Sequence, residues 1–216
     1  MKLLAVSDMH GDLTNVFSAL DTCTPDAVIS CGDWGDPGEV DHEAFERLLE
    51  RVAVFTVYGN HDDIDYLQSL KNRDGSSVLL QSGELVEWGG LRLAGINGIW
   101  AKSHAKGHYV GDEEVAANAS ALKGKRVDIL LTHGCPVGTA DSLPNGRHGG
   151  QKCFQDAYRI IAPRLYLCGH LHFAQEHVLK DGRMIINVGY TCEGDYWVID
   201  IDRDAIVVER GNISVK

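Results

Sequence analysis

The chain has 216 residues, a length that fits one domain and is sufficient to bury a large core. Hydrophobic residues make up 44% of it and charged residues 24%, and we find no apolar run long enough to predict a membrane span. The formal net charge of −11, without a dense cluster of Lys and Arg, argues against a protein that wraps a polyanion. We therefore do not expect stable nucleic-acid binding.

The N-terminal segment and the cysteines both favour a cytoplasmic protein. The apolar start of the chain reaches Asp8 too early for the apolar region of a signal peptide, so we interpret it as a buried strand. None of the cysteines forms a CxxC pair, and we expect reduced core thiols rather than disulfides. The cysteines concerned are Cys23, Cys31, Cys135, Cys153, Cys168 and Cys192.

Short apolar segments alternate with helix-compatible segments over the first three quarters of the chain. Periodicity predicts amphipathic helices at 13–23 and 41–52. It predicts strands at 2–8, 26–33, 53–60, 91–98, 127–134 and 164–170. Residues 100–124 look like an excursion between two strands that is partly helical and forms a lid or an interface.

The last quarter of the chain predicts strands linked by hairpins. The strand-like segments are 177–189, 196–202 and 205–212, and Asp181-Gly182 is a strong turn signal within the first of them. An α/β alternation followed by a mostly antiparallel finish predicts the α/β class. Two stacked sheets with helices outside would accommodate both parts.

A polar cluster follows each of five predicted strands. The clusters read SDMHGD at 7–12, CGDWGD at 31–36, YGNHDD at 58–63, THG at 132–134 and CGHLH at 168–172. Because the carboxyl ends of parallel strands lie along one edge of a sheet, the clusters are expected to meet at one place. Carboxylate, amide and imidazole groups together suit divalent metals. In Asp8-x-His10 and His170-x-His172, an extended backbone would point both side chains to the same side.

These motifs, in the order SDMHGD, GDWGD, GNHDD, LTHG and GHLH, resemble those of the calcineurin-like metallophosphoesterases. The resemblance implies a four-layer αββα sandwich, with two mixed β-sheets flanked by helices, and one metallophosphoesterase domain over 1–216. It also implies a dimetal-dependent phosphoesterase with two divalent ions. Manganese is our first expectation, with iron, zinc or nickel as alternatives.

The resemblance further assigns seven metal ligands and one catalytic residue. The first ion would be held by Asp8, His10, Asp33 and His172, and the second by Asp33, Asn60, His133 and His170, with Asp33 bridging them. A metal-bridged hydroxide would attack phosphorus, and His61 would act as general acid or electrostatic stabiliser for the leaving group.

Four neighbouring acidic residues are expected to support the site or the helices around it. Asp62 or Asp63 would orient the second ring nitrogen of His61. Asp36 would hydrogen-bond to a ligand rather than bind metal. Asp12 and Asp63 fit helix caps better than catalytic roles.

The substrate is predicted less directly than the reaction. The GDWGDPGE segment lacks the arginine of the GDxxDRG motif in protein phosphatases, a group that would favour a dianionic monoester. The LTHGCPVGTAD segment is similar to the THGPPxGxxD pattern of a phosphodiesterase-type branch, although Cys135 stands where a proline is expected. We therefore expect a small phosphodiester substrate, with a cyclic nucleotide as one candidate.

Several alternatives stay open at this point. The chain could be a phosphomonoesterase for a small metabolite, a nuclease for a small oligonucleotide, or a non-catalytic metal-binding interaction module, and it could form a homo-oligomer. His104 and His108 could line a pocket wall built by the 100–124 excursion. Cys135 and Cys168 stand next to predicted ligands, and we expect them to be packing neighbours.

Overall fold

The computed structural model describes residues 1–103 and 105–213, so the prediction that involves His104 lies outside the described residues. The helices are α1 Thr14–Cys23, α2 His42–Arg51, α3 Ile64–Ser69, α4 Asp112–Leu122 and α5 Lys152–Ile161. The strands are β1 Lys2–Val6, β2 Ala27–Ser30, β3 Ala53–Thr56, β4 Leu85–Trp88, β5 Leu91–Ile96, β6 Ile99–Trp100, β7 Tyr109–Val110, β8 Ile129–Thr132, β9 Leu165–Cys168, β10 Gln175–Val178, β11 Met184–Asn187, β12 Asp195–Ile201 and β13 Ile206–Asn212.

Two large mixed sheets form the centre of the fold. The first sheet has the order β13-β12-β1-β2-β3, and the second has the order β10-β11-β9-β8-β5-β4. Strands β1, β2 and β3 are parallel, and so are β5, β8, β9 and β11. The antiparallel strands lie at the edges of the sheets, where β12 and β13 close one side of the first sheet and β4 and β10 flank the second.

The apolar run of β1 shows how the layers are built. Leu3 and Ala5 belong to a buried cluster shared by the two sheets, whereas Leu4 and Val6 pack with residues of α1 and α2 on the opposite face. Strands covered on both faces are apolar throughout, which explains the absence of polar alternation. A third cluster packs α4 and α5 on the second sheet. The αββα sandwich and its α/β class are therefore confirmed.

Helix α2 illustrates why the helices cover these sheets. Asp41 caps it, because its carboxylate accepts a hydrogen bond from the Ala44 amide (3.1 Å). Ala44, Phe45 and Leu48 then form its buried stripe at helical spacing. Helix α5 repeats this pattern with a wider stripe, so both outer layers are amphipathic.

Predicted and observed elements differ mainly at the end of the chain. The turn at Asp181-Gly182 joins β10 to antiparallel β11, as predicted. The prediction of a hairpin after β11 is wrong. Strand β11 pairs in parallel with β9, and the chain then crosses to β12 in the other sheet. Strand β4 and helices α3 and α5 were also outside the predicted set.

Residues 100–124 divide into two structurally different parts. Helix α4 buries Val115, Ala119 and Leu122 against the second sheet and therefore belongs to the outer helix layer. Only the part before α4 runs beside the predicted site. In the part of the chain that the structure describes, there is no helix with the length and apolarity needed to cross a membrane.

Asp128 connects strands at the edge of the second sheet where β8 begins. Its side chain is only 2% exposed and accepts hydrogen bonds from the Arg92 amide (3.0 Å), Arg126 Nη2 (3.0 Å) and Arg164 Nη1 (3.1 Å). Burial raises the pKa of Asp128, but these hydrogen bonds outweigh it and leave the pKa below its usual value.

We expect Asp128→Ala to lower the free energy of unfolding by about 2 kcal/mol at neutral pH, because the partly buried Arg92 amide and Arg164 guanidinium lose their carboxylate acceptor. A lowered pKa means that the unfolded state takes up protons first as the pH falls. The stabilisation by the carboxylate is therefore present above about pH 4 and is lost at lower pH. Urea unfolding of parent and variant between pH 7 and pH 3 measures the difference.

Asp181→Ala is the matched control, since its ion pair with Arg183 lies at the surface and such pairs contribute little to stability. Equal losses for the two variants would contradict the anchoring role of Asp128.

Candidate metal centre

The predicted ligands lie in loops that follow β1, β2 and β3 of the first sheet and β8 and β9 of the second. Contacts between these loops join the two sheets at this edge. His133 Nδ1 lies 2.8 Å from the Cys31 carbonyl oxygen, and the His170 amide donates to Asp8 Oδ2 (3.1 Å). The Gly169 amide donates to the His133 carbonyl (3.0 Å). The five polar clusters therefore meet, as the strand order predicted.

Six of the predicted ligands fall into two groups. In each group, one ligand atom from every residue lies within 4.8 Å of the others. The groups are Asp8, His10 and His172, and Asp33, His133 and His170. Asn60 lines the cleft beside His170. Asp33 belongs to the second group alone, so its bridging role and the assignment of each residue to a metal stay predictions.

Unpartnered polar atoms give a test of whether a metal fits. In the described residues, six buried side-chain nitrogen or oxygen atoms have no hydrogen-bond partner, and four of them belong to predicted ligands. These four atoms are Asp8 Oδ1, His10 Nε2, Asn60 Oδ1 and His133 Nε2. Buried polar atoms are nearly always paired, so this concentration calls for a ligand. The mixed set of nitrogen and oxygen donors suits a divalent cation.

The loop backbones differ from the extended form that we expected. Five predicted ligands have positive φ angles between 47° and 68°, in the left-handed region: Asp8, His10, Asp33, His170 and His172. Asp and His adopt this region more readily than bulky residues, but it still stores strain. The DxH pair, Asp8 and His10, and the HxH pair, His170 and His172, therefore lie in tight turns. The prediction that an extended backbone explains their spacing is wrong.

Asp33 and His133 form the most buried pair of the site. His133 Nε2 lies 3.3 Å from Asp33 Oδ2, while Nδ1 faces the Cys31 carbonyl. Burial lowers the pKa of His133, but the Asp33 carboxylate raises it overall, to about 10. Burial raises the pKa of Asp33, yet His133 brings it well below the usual range. The pair holds opposite charges, and Nε2 points where a cation could replace the proton.

The two outer histidines have opposite electrostatic surroundings. Burial, followed by repulsion from His133, lowers the pKa of His170 to about 4. Contact with Asp8, 3.2 Å from His172 Nε2, raises the pKa of His172. His170 is therefore neutral at neutral pH, the form in which imidazole binds metals.

Asp62 holds the ligand loops together, whereas the sequence predicted that Asp62 or Asp63 would orient His61. Its carboxylate accepts hydrogen bonds from the amides of Asp33 (2.8 Å), Trp34 (2.7 Å) and Gly59 (2.7 Å). Burial and the nearby Asp33 carboxylate raise the pKa of Asp62 to about 7 against the effect of these donors. Asp62 therefore fixes the backbone of two loops and does not orient His61.

Asp36 occupies the position that we had predicted for Asp62 or Asp63. Its Oδ2 lies 3.1 Å from His61 Nδ1, and both side chains are almost half exposed. The predicted bond from Asp36 to a metal ligand is thus replaced by one to His61. Asp63 caps α3, as predicted. The predicted cap at Asp12 is wrong, because the N-cap of α1 is Leu13 without a side-chain cap bond, and Asp12 instead accepts from the Thr14 amide two residues on (2.8 Å).

Sequence reasoning missed Tyr190, which follows β11. Its ring stacks on His172 with 4.1 Å between centroids and 3° between planes, and it meets the His10 ring edge to face. The neighbouring Thr191 exchanges hydrogen bonds with Ser7, beside Asp8. A parallel assignment for β11 would have placed its carboxyl end at this edge and could have identified Tyr190.

The two cysteines beside the ligands are buried packing residues, as expected. Cys135 Sγ donates to the Gly169 carbonyl (3.1 Å), and Cys168 Sγ contacts the Ile186 carbonyl. All six cysteines are free thiols. Neither metal-competent group of the described residues contains a cysteine.

A cleft of about 480 Å³ opens beside the two groups. Asn60, His61 and His170 form its inner side. Its outer wall comes from the 99–109 segment and includes His108, in agreement with the predicted pocket wall. The half-exposed His61 thus lies between the ligand groups and a space that a small substrate could enter.

Solved structures with the same fold cover almost the whole chain. TT1561 of Thermus thermophilus has a TM-score of 0.72 at 19% identity, with 98% of each chain covered. Vps29 complexed with Zn²⁺ from Entamoeba histolytica has a TM-score of 0.53 at 15% identity, covering 98% of this chain and 99% of that one. A predicted phosphoesterase from Streptococcus pneumoniae has a TM-score of 0.50 at 15% identity, covering 98% and 88%. At these identities the similarity shows the fold alone.

No curated protein shows significant sequence similarity to this chain. The family profile described as calcineurin-like phosphoesterase matches residues 1–174, which include all five polar clusters. Because that match spans most of the sequence, the chain belongs to the calcineurin-like phosphoesterase family.

Proposed function

We propose that this protein is a dimetal-dependent hydrolase of small phosphodiesters. The observation that carries the proposal is the pair of three-residue ligand groups, with unpartnered buried atoms, next to the exposed side of His61. One ion would be held by Asp8, His10, Asp33 and His172, and the other by Asp33, Asn60, His133 and His170. When bound, two such ions activate a water molecule and neutralise phosphoryl oxygens. We propose Mn²⁺ as the metal, with iron, zinc and nickel as alternatives.

His61 would then protonate the leaving oxygen or stabilise its charge. Its ring lies 5.2 Å from the His10 ring, so it adjoins the first group without belonging to either group. Asp36 fixes the ring through Nδ1, which leaves Nε2 for the substrate. A half-exposed side chain can meet a ligand that enters from the cleft.

The charge of the cleft supports a diester over a monoester. Among its described lining residues, Lys106 is the single Lys and there is no Arg. A phosphomonoester dianion gains more than a diester monoanion from guanidinium groups. A cyclic nucleotide is one diester with a size and charge suitable for this space.

The first test adds Mn²⁺ to metal-stripped protein and compares bis-p-nitrophenyl phosphate with p-nitrophenyl phosphate as substrates. We expect kcat/KM to be higher for the diester. A preference for the monoester would redirect the assignment to a phosphomonoesterase. Hydrolysis of neither, with two ions bound, would leave a metal-binding interaction module.

We expect Asp33→Asn to weaken both metal sites, because a single carboxylate would bridge them and its charge would be lost. The bound Mn²⁺ should fall from two ions per chain to fewer than one, measured by elemental analysis, and turnover should fall about 100-fold or more. Asp200→Asn removes an exposed carboxylate from β12 and is the control. Full metal content in Asp33→Asn would show that this residue does not bridge.

We expect His61→Ala to reduce kcat by about 10²–10⁴-fold, the usual size of a general acid contribution, while two ions stay bound. Asp36→Ala should reduce kcat less, because it removes only the group that orients His61. His177→Ala, on the exposed edge strand β10, is the histidine control. Loss of metal from His61→Ala would mean that this residue is a ligand or a support for one.

A further inference from the structure

The outer wall of the cleft is built by β6, β7 and described residues between them, and hydrogen bonds attach it to the loop after β3. The Gly98 amide donates to the Tyr58 carbonyl (2.8 Å), two residues before Asn60. The Tyr58 amide in turn donates to Asn97 Oδ1 (2.8 Å). The wall is therefore tied to the loop that carries the predicted ligand and the predicted acid.

Close packing at Gly98 sets the position of this wall. Gly98 has a φ of 87°, and a Cβ atom there would lie 2.7 Å from the His108 carbonyl oxygen. The Ile99 amide donates to that same oxygen (2.9 Å), and the Ala101 amide donates to the Val110 carbonyl (3.1 Å). The short parallel pair β6–β7 thus holds the chain in place beside the cleft.

The two aromatic side chains of this wall project from opposite faces of the β6–β7 pair. Val110 is buried among residues of the second sheet and of α4 and α5, so Tyr109, the preceding residue, projects to the opposite side, toward the cleft. Trp100 pairs with Val110 and packs on the same cluster, and its indole nitrogen donates to Asp112 Oδ1 (2.8 Å) at the rim. The Tyr109 ring is only partly buried. A partly exposed aromatic ring is a surface on which a planar ligand can stack.

Lys106 adds a positive charge to the same wall. Its exposed ammonium group belongs to a protein with a net charge of −11, and it lines the cleft together with Tyr109 and His61. A ligand with a planar ring and an anionic group would meet both features of the wall. A space of about 480 Å³ is within the usual range for binding a small molecule of that kind.

We propose that Tyr109 forms a stacking site for a nucleobase and that Lys106 contacts the anionic part of the same ligand. This inference rests on the proposed function and deepens it by naming the substrate class as nucleotides. Stacking accepts every base because each presents a π-face, so the wall selects for a base without specifying which one.

The test measures binding to Mn²⁺-loaded protein by isothermal titration calorimetry. The probes are uridine 5′-monophosphate and ribose 5-phosphate, which share a ribose phosphate and differ chiefly in the base. We expect the nucleotide to bind about tenfold more tightly, since stacking on aromatic side chains contributes about 1–3 kcal/mol per base. Equal dissociation constants in the parent protein would overturn the proposal.

Variants of Tyr109 distinguish the contribution of its aromatic ring from other effects on ligand binding. Tyr109→Phe keeps the ring and should keep the tenfold preference, whereas Tyr109→Ala should reduce it to about threefold or less. If Tyr109→Ala leaves the ratio of the two dissociation constants unchanged, the stacking site is wrong.

Lys106→Ala should weaken both probes by a similar factor and leave their ratio unaltered. Lys102→Ala removes an exposed lysine of the same segment that does not line the cleft, and it should affect neither probe. Hydrolysis of bis-p-nitrophenyl phosphate by the parent tests the proposed function separately. A catalytically inactive parent that still prefers the nucleotide would overturn the hydrolase assignment and retain the base-binding wall.

Discussion

The burial of two carboxylates, Asp8 and Asp33, is the constraint on which the site depends. They are 0% and 1% exposed at the edge where the two sheets come together. Burying a charge is costly unless it is paired and hydrogen-bonded. Backbone amides of His170 and His61 satisfy one oxygen of each carboxylate, and His172 and His133 lie within 3.3 Å of the other.

These contacts leave part of the buried polar groups without a hydrogen-bond partner. The hydrogen bonds to the carboxylates come from the amides of the surrounding loops. The unpartnered atoms of Asp8 and His133 belong to the ligand groups themselves. A cation placed there would balance the charge of both carboxylates. It would also offset the repulsion from Asp33 that, after burial, raises the pKa of Asp62. The way the charges are buried therefore supports the proposed metal binding, and the donor types would restrict which metals fit.

Glycine explains why the ligand loops can approach one another so closely. A Cβ atom at Gly59 would lie 2.2 Å from Asp33 Oδ1 and 2.6 Å from the His133 ring. A Cβ atom at Gly169 would lie 2.0 Å from Ser7 Oγ and 2.7 Å from Asp8 Oδ2. The G in the GNHD and GHLH motifs thus leaves room for ligands from neighbouring loops. The predicted ligands with positive φ carry backbone strain of about 1–3 kcal/mol each. This strain is tolerated because two covered sheets anchor every loop.

The sequence was sufficient to predict features that depend on local pattern. Apolar runs such as that of β1 identified the strands, and the polar residues after them identified the site, because parallel strands end at one edge. Strand pairing depends on contacts distant in sequence, so the parallel partner of β11 was missed, and Tyr190 with it. The roles of Asp36 and Asp62 were exchanged for a similar reason. Both stand near His61, and only the path of the loop between Gly59 and Asp63 decides which carboxylate reaches the ring.

The two sides of the cleft depend on different parts of the chain. The inner side is constrained by charge burial, glycine contacts and strained loops, so almost any change there disturbs the ligand groups. The outer wall is attached to the inner side by backbone hydrogen bonds from residues 97–98, and its side chains have no part in the ligand groups. Side chains of the wall can therefore vary without disturbing the residues proposed to bind metal. Under the proposed function, such a division would separate the chemistry of phosphoester cleavage from recognition of the rest of the substrate. Specificity would then depend on the described residues of the wall, such as Tyr109 and Lys106.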